Sequence, residues 1–394
     1  MKVAIIHFWL VAMRGGERVL ENICDLFPDA DIFTHAVNRH ALSAKLCGRN
    51  IRTTFIQNLP FARRSPQMYL ALMPRALEQL DLQDYDLIIS SEAGPAKGVI
   101  VRPDAAHVCY CHSPMRYIWD QYHVYKSNAG MLTRLVMPRI AHQLRQWDVS
   151  SASRVDTFVA NSAFVAQRIE KYYRRDAVVI YPPVNVELFS LSDDVDNSFL
   201  WVGQLVPYKR CDIAVAAFNK LGFPLTVVGV GPEKARLQQM AKSNIRFIDK
   251  LSFDNLRRAY SRARAVIFTA TEDFGIVPVE AMASGRPVIA FGRGGVSESV
   301  ANNVTGIFYN DSTTESLVDA VERFERWLPQ FDPQLAVASA SRFTPHRFAT
   351  EFRAVVDHAI AAVGQTRAKH LLAKNLWRSD VGGPLPVRAV PESA

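Results

Sequence analysis

Apolar residues fall along this chain in short runs separated by amphipathic stretches. Residues 3–8 form a run of strand length. A loop holding Gly15 and Gly16 follows, and then a helical periodicity from Glu17 to about Phe27. Residues 87–90, 107–111 and 157–160 read as further buried strands with helical patterns between them. After Pro182-Pro183 and an acidic loop at 193–196, a second series begins: residues 199–202, 225–229, 245–248, 265–269 and 287–290. Continuously apolar strands alternating with helices belong to parallel sheets covered on both faces. The expected fold class is therefore α/β, with two doubly wound, Rossmann-like domains and a cleft between them. The first covers residues 1–183 and the second 184–345. A helix over 346–363 is expected to pack back on the first domain, and 364–394 to form a loosely ordered tail. A chain of 394 residues suits two cores better than one.

Composition adds limits. Hydrophobic residues make up 49% and charged residues 21%, which is globular. The formal net charge is +8, and residues 1–183 hold 22 Lys/Arg against 16 Asp/Glu, so most of the excess lies in the first half. That surface suits anionic partners: lipid head groups, nucleic acid or phosphorylated ligands. The basic residues are scattered, and no tract reads as a nucleic-acid motif. Five cysteines without a C-x-x-C pair are expected to be reduced thiols in the cytosol. Residues 3–13 are interrupted by His7 and lead into Arg14-Gly15-Gly16, so they read as a first strand and not a leader. No apolar run reaches the ~18 residues of a membrane span. Residues 55–75 mix Arg63-Arg64 with Phe, Tyr, Leu and Met. That pattern fits an interfacial segment at an anionic membrane surface and equally an ordinary packed helix.

In open parallel sheets, ligands sit beyond the carboxyl ends of the strands. The most informative such loop lies in residues 269–290, TATEDFGIVPVEAMASGRPVIA. A strand ends near Thr271, residues 272–275 turn, and Pro278 is expected at the first helical position. The helix then runs to Ser284 and stops at Gly285. The amides of Phe274, Gly275, Ile276 and Val277 would lie unpaired at its start and suit a diphosphate. Glu272 and Glu280, eight apart, could accept hydrogen bonds from the hydroxyls of one ligand. For Glu280 alone, a carboxylate satisfying the helix dipole is the simpler reading.

A second loop lies in residues 199–212, FLWVGQLVPYKRCD, where Gly203 and Gln204 precede Lys209 and Arg210. A fixed cation there would stabilise a departing diphosphate by about 3–4 kcal/mol. Alternatively the pair is a solvated helix start. Gly229 and Gly231 lack the third glycine of a dinucleotide fingerprint, which argues against a dehydrogenase. Lys250 and Leu251 follow the next strand and are candidates for base contacts. In the first half, Gly15 and Gly16 could approach a phosphate or a second substrate, or form a steric turn. His112 ends a strand in CYCHSPMRYIWDQY, beside the expected cleft. Arg116, Trp119 and Asp120 combine a base, an aromatic and an acid, as sugar binding needs, though packing would also use them. Asp194-Val195-Asp196 mimics a D-x-D metal motif but precedes the first strand of its domain, so a solvated linker is expected.

The string EDFGIVPVEAMASGRPVIA, with its E-x7-E, resembles the signature of glycosyltransferase family 4, retaining enzymes of the GT-B fold. The likeness covers roughly residues 1–360. It implies that Glu272 lies by the donor sugar, that Glu280 binds the ribose hydroxyls, and that Lys209 and the amides of 274–277 hold the diphosphate. His112 matches the family's active-site histidine, and the Gly229–Gly231 stretch lies near the nucleotide. The family usually has Arg where this chain has Gln204, and Arg210 is a candidate to compensate. CHSPMRYIWDQY and VPYKRCD are similar to the O-antigen mannosyltransferases of the WbaZ type. This implies a GDP-mannose donor, a polyprenyl-diphosphate-linked glycan acceptor, and work at the inner face of the cytoplasmic membrane in lipopolysaccharide synthesis. It implies no metal and no cofactor beyond the nucleotide sugar. The alternatives are a UDP-sugar transferase of the same fold, a UDP-sugar epimerase and a glycan-binding protein without catalysis. The last is disfavoured by Lys209, Glu272 and Glu280.

Overall fold

The structure, a computed structural model, describes residues 1–380, with side chains to residue 365. Two all-parallel sheets organise it. The first joins β1 (Val3–His7), β2 (Asp31–Thr34), β3 (Ile51–Thr53), β4 (Leu87–Glu92), β5 (Ala106–Cys111), β6 (Thr157–Ala160) and β7 (Ala177–Val179) in the order β3-β2-β1-β4-β5-β6-β7. The second joins β8 (Phe199–Val202), β9 (Leu225–Val228), β10 (Ile245–Ile248), β11 (Val266–Phe268), β12 (Val288–Phe291) and β13 (Gly306–Tyr309) in the order β10-β9-β8-β11-β12-β13. β2, β3, β7 and β13 were not evident from the hydrophobic pattern. They are three or four residues long, and β3 and β7 are partly exposed outer strands of their sheet.

Each sheet reverses its order once, between β1 and β4 and between β8 and β11. Helices on either side of such a reversal go to opposite faces and leave a crevice at the carboxyl ends of the strands. The loops after β1, β8 and β11 therefore open into crevices, and each carries residues singled out by the sequence.

The chain crosses between domains at Pro182-Pro183. It crosses back at the last helix, Pro345–Asp380, and the Val184 amide donates to the Phe343 carbonyl at 2.7 Å between the two crossings. Phe348, Phe352, Val356 and Ala359 on that helix are buried in the first domain's core. Phe348 and Phe352 stack at 5.5 Å and both pack edge-on against Tyr110 of β5. Burying each ring is worth roughly 2–3 kcal/mol, so the helix clamps the second domain's end to the first. It runs past 363. Residues 364–380, expected as loose tail, are helical, because their run of Ala, Leu, Lys, Arg and Gln favours helix even where the apolar period is weak. Residues 381–394 of that expected tail lie outside the described residues. Among the described residues no helix is long and apolar enough to cross a membrane.

Candidate active site

The helix Ile276–Ala283 begins two residues earlier than expected, so Pro278 is its third residue and not its first. Its missing N–H is still harmless, because the first turn has no intrahelical acceptors. Gly275 caps the helix with φ +88°, a left-handed conformation that a side chain would strain. Among the described residues the amides of Phe274, Gly275, Ile276 and Val277 have no protein acceptor. Their side chains do not face the cleft as a set. The Phe274 ring is buried against Tyr181 and Phe343, and Ile276 and Val277 pack on the second domain's core. The groups of this loop left free to meet a ligand are thus backbone amides at a helix start, where an anion is favoured.

The loops after β8 and β11 are neighbours because their strands are. Lys209 Nζ lies 2.6 Å from Glu272 Oε1. Trp201 donates to Thr269 Oγ1 at 3.0 Å, and Thr269 donates to the Lys209 carbonyl at 2.7 Å, which pins one loop to the other. Burial alone would lower the Lys209 pKa, but the Glu272 carboxylate beside it wins and the net shift is upward. Lys209 is therefore a fixed cation at working pH.

Glu280 is buried and accepts from Tyr260 Oη at 2.9 Å and Arg18 Nη1 at 3.3 Å. Arg18 belongs to the first domain, on the helix Gly15–Leu26, so this carboxylate bridges the cleft. Burial raises its pKa, against the opposing pull of Arg18 and Tyr260.

Across the cleft, Gly15 touches the helix start closely enough that a Cβ there would lie 2.9 Å from Ile276 Cδ1. A Cβ on Gly16 would lie 3.7 Å from His112 Nε2. His112 Nε2 is 2.9 Å from Ser91 Oγ, whose oxygen is 3.0 Å from His7 Nδ1. Burial, helped by His7, lowers the His112 pKa to about 3, so its ring is neutral throughout the working range.

Other expected residues lie elsewhere. Arg210 does not join Lys209: its guanidinium is held by Asp212 at 3.1 Å and Ser312 at 3.1 Å, because its left-handed backbone (φ +54°) turns it onto the helix Cys211–Leu221. It is not available to compensate for Gln204, which is exposed. Gly229 and Gly231 serve loop packing. A Cβ on Gly229 would sit 1.8 Å from the Gly203 carbonyl oxygen, and one on Gly231 2.2 Å from that of Leu205. Lys250 is exposed and Leu251 packs on the core. Asp194 and Asp196 both pair with Arg262, which accounts for the D-x-D string.

Arg116 and Asp120 are drawn into a clasp between the domains, whereas Trp119 packs within the first domain. Arg116 donates to the Thr271 carbonyl at 3.0 Å and lies 3.6 Å from Asp273. Arg168 reaches both Asp120 and Asp273 at 2.7 Å. Trp119 stacks on Tyr172 at 4.6 Å and donates to buried Asp148 at 2.7 Å, so that ring face is already covered. Glu298 of the second domain accepts from the amides of Ala163 and Phe164 at 2.7 and 2.9 Å, capping a helix of the first. The two domains are closed on one another.

Two family models cover most of the chain in succession: "Glycosyltransferase Family 4" over residues 13–188 and "Glycosyl transferases group 1" over 188–327. The chain belongs to glycosyltransferase family 4. Among relatives of this family 4 glycosyltransferase, the O-antigen chain mannosyltransferase RfbU of Salmonella typhimurium is 29% identical over 204 residues, 46% of this chain and 57% of that one. The O-antigen chain mannosyltransferase C of Escherichia coli is 27% identical over 266 residues, 62% and 66% of the two chains. The alignments span about half the length of the curated relatives that the transferase matches. The solved sucrose-phosphate synthase of Thermosynechococcus elongatus superposes with a TM-score of 0.67 at 16% identity, over 92% of this chain and all of that one. This likeness shows the fold, which is GT-B.

Several residues of the transferase's cleft escaped the sequence reading. Arg18, Tyr260, Arg168, Asp273 and Glu298 meet their partners only across the cleft or between distant helices. Gly294-Gly295 had a local signal, the GRGG string after β12. Gly295 donates to the Glu272 carbonyl at 2.9 Å, holding the Glu272 loop by its backbone.

Proposed function

We propose that this chain is a retaining hexosyltransferase that moves mannose from GDP-mannose to a polyprenyl-diphosphate-linked glycan at the inner face of the cytoplasmic membrane, in bacterial surface polysaccharide synthesis. The observation that carries the transfer chemistry is the Lys209–Glu272 pair beside the free amides of residues 274–277. A diphosphate entering the cleft takes those amides and the Lys209 ammonium. Glu272, released from Lys209, then accepts hydrogen bonds from the sugar hydroxyls. Glu280 exchanges Arg18 for the ribose hydroxyls while Tyr260 keeps it oriented. His112, neutral, lines the sugar pocket opposite.

The reaction is front-face substitution. The C1–oxygen bond to the diphosphate breaks through an oxocarbenium-like state, and the acceptor oxygen bonds to C1 on the same face. The acceptor's proton goes to the departing diphosphate. The protein supplies position and a preorganised field more than acid–base groups. No metal is required in this scheme, because Lys209 and the helix start supply the positive field. Support for mannose comes from the names of the two O-antigen mannosyltransferase relatives, whereas GDP and the lipid-linked acceptor rest on the resemblance carried by CHSPMRYIWDQY and VPYKRCD.

The test is a screen of GDP- and UDP-sugars, with and without EDTA, against lipid-linked acceptors, with the product anomer read by NMR. An α-mannoside from GDP-mannose, unaffected by EDTA, is expected. Turnover of UDP-sugars alone would move the assignment to a UDP-dependent transferase, and sugar interconversion without an acceptor to an epimerase.

A further inference from the structure

Two stretches of the first domain contain no acidic residue. Residues 32–77 lack Asp and Glu and hold seven Lys/Arg, and residues 121–147 lack them and hold four. They meet in space, since Leu70 from the first and Ile140 and Leu144 from the second share one small core with Met115 and Ile118. The face where they adjoin has no acid from either stretch, while Lys45 and Arg52 of the first pair with Asp25 and Asp31 just before it in the chain.

That face carries unusual apolar exposure. The helix Met131–Ala152 is anchored by Ala141, Leu144, Asp148, Ser151 and Ala152, but every residue from 131 to 136 is exposed. Exposure all round the axis means that this end stands clear of the protein body. Four of its six residues are apolar, and Met131, Leu132 and Leu135 are 92%, 76% and 77% exposed. Phe61 and Met68, from the neighbouring acid-free stretch, are 70% and 65% exposed. Each such side chain gains favourable free energy on leaving water. Contiguous exposed apolar groups on a soluble chain mark a contact surface.

The cations around this patch have no acids to meet. Among the described residues, Arg63, Arg64, Arg75, Arg134 and Arg139 pair with no carboxylate, and Arg134 donates to the Ser127 carbonyl at 2.8 Å. A protruding apolar helix end that carries the unpaired Arg134 and Arg139 matches an anionic bilayer, which offers hydrocarbon depth beneath negative charge. A second copy of this chain matches it poorly. A two-fold contact would set the same cationic face against itself.

We infer that this face docks on an anionic lipid bilayer, with residues 131–136 entering the head-group boundary and Phe61 and Met68 flanking them. The docked face adjoins the cleft. Tyr125, in the helix that leads into the protruding one, packs near Tyr117 and lies within electrostatic reach of Tyr208, Arg116 and Asp273. The inference deepens the lipid-linked acceptor reading, for which it gives the route of approach. The docking itself stands on exposure and charge.

The experiment is flotation of the full chain with vesicles of phosphatidylcholine, alone or with about a third phosphatidylglycerol, in low and high salt. GDP binding is measured in parallel by calorimetry without lipid. Wild type is expected to float with the anionic vesicles at low salt, and at least fivefold less with neutral vesicles or at high salt. Leu132→Asp/Leu135→Asp should cut flotation at least fivefold and leave GDP affinity and the circular dichroism melt unchanged, because both residues already face water. Arg63→Glu/Arg64→Glu should reduce flotation severalfold. Wild type remaining in solution with anionic vesicles at low salt would overturn the inference. Equal flotation by the Asp variant would overturn it too, as would a dimer that this variant disperses. Flotation without any GDP binding or transfer would leave docking standing and remove the proposed donor.

Discussion

Lys209 Nζ and Glu272 Oε1 lie 2.6 Å apart, although three helices and three strands separate the two loops in sequence. The contact follows from topology, because β8 and β11 are neighbours at the reversal of the second sheet. It also means that each group occupies the other until a ligand arrives.

The first prediction uses that mutual occupation. A free nucleotide diphosphate must draw Lys209 from Glu272 and gains nothing from Glu272 itself. Glu272→Gln should therefore bind GDP about three- to tenfold more tightly than wild type, whereas Lys209→Ala should bind it at least tenfold more weakly; tenfold is about 1.4 kcal/mol. Calorimetric titration with GDP decides. Weaker binding by Glu272→Gln would mean that the carboxylate touches the nucleotide directly.

Glu280 supplies a second, pH-dependent prediction. Burial raises its pKa above the ordinary 4.5, with Arg18 and Tyr260 pulling the other way. In the proposed function Glu280 meets the ribose hydroxyls as a carboxylate, so GDP affinity should rise as pH climbs through the raised Glu280 pKa and level off above it. Arg18→Ala removes a downward pull and should move that midpoint to higher pH. GDP affinity measured from pH 4.5 to 8 checks this. A midpoint that stays fixed in Arg18→Ala would detach Glu280 from the nucleotide.

Three buried histidines set the acid limit of the fold. Burial lowers the pKa of His35 and His107 to about 4 and that of His112 to about 3, against 6.5 when unfolded. Between these values the unfolded chain binds more protons than the folded one. Stability therefore rises with pH across this window and falls on acidification. At pH 5 each histidine costs about 2 kcal/mol relative to pH 7. The urea midpoint should fall steeply from pH 7 to pH 5, and His107→Gln should flatten the slope even if it lowers stability at pH 7. An equal slope in that variant would show that His107 is not held neutral.

Much of this was legible in the sequence, for reasons that differ by residue. The strands of each sheet's centre are apolar on both faces, and the loops after β8 and β11 carry Lys209 and Glu272 at positions the run lengths define. The E-x7-E string gave the helix and its free amides, though Pro278 placed its start two residues late. Arg210 misled because sequence adjacency to Lys209 says nothing of direction, and a left-handed backbone turns the two apart. Arg116 and Asp120 looked like sugar ligands because the same residue types build a clasp between domains, and Arg168 and Asp273, which complete it, lie about 50 and 150 residues further on. Interdomain partners leave no local pattern.

The central claim is that the Lys209–Glu272 pair performs the transfer. Single-turnover rates at saturating donor and acceptor, compared among wild type, Lys209→Ala and Glu272→Ala, test it most directly. Both variants should keep wild-type circular dichroism and each should lose at least a hundredfold in rate, in line with the roughly 10²–10³-fold cost of removing one preorganised charge-stabilising group. Near-normal rates in both folded variants would contradict the account.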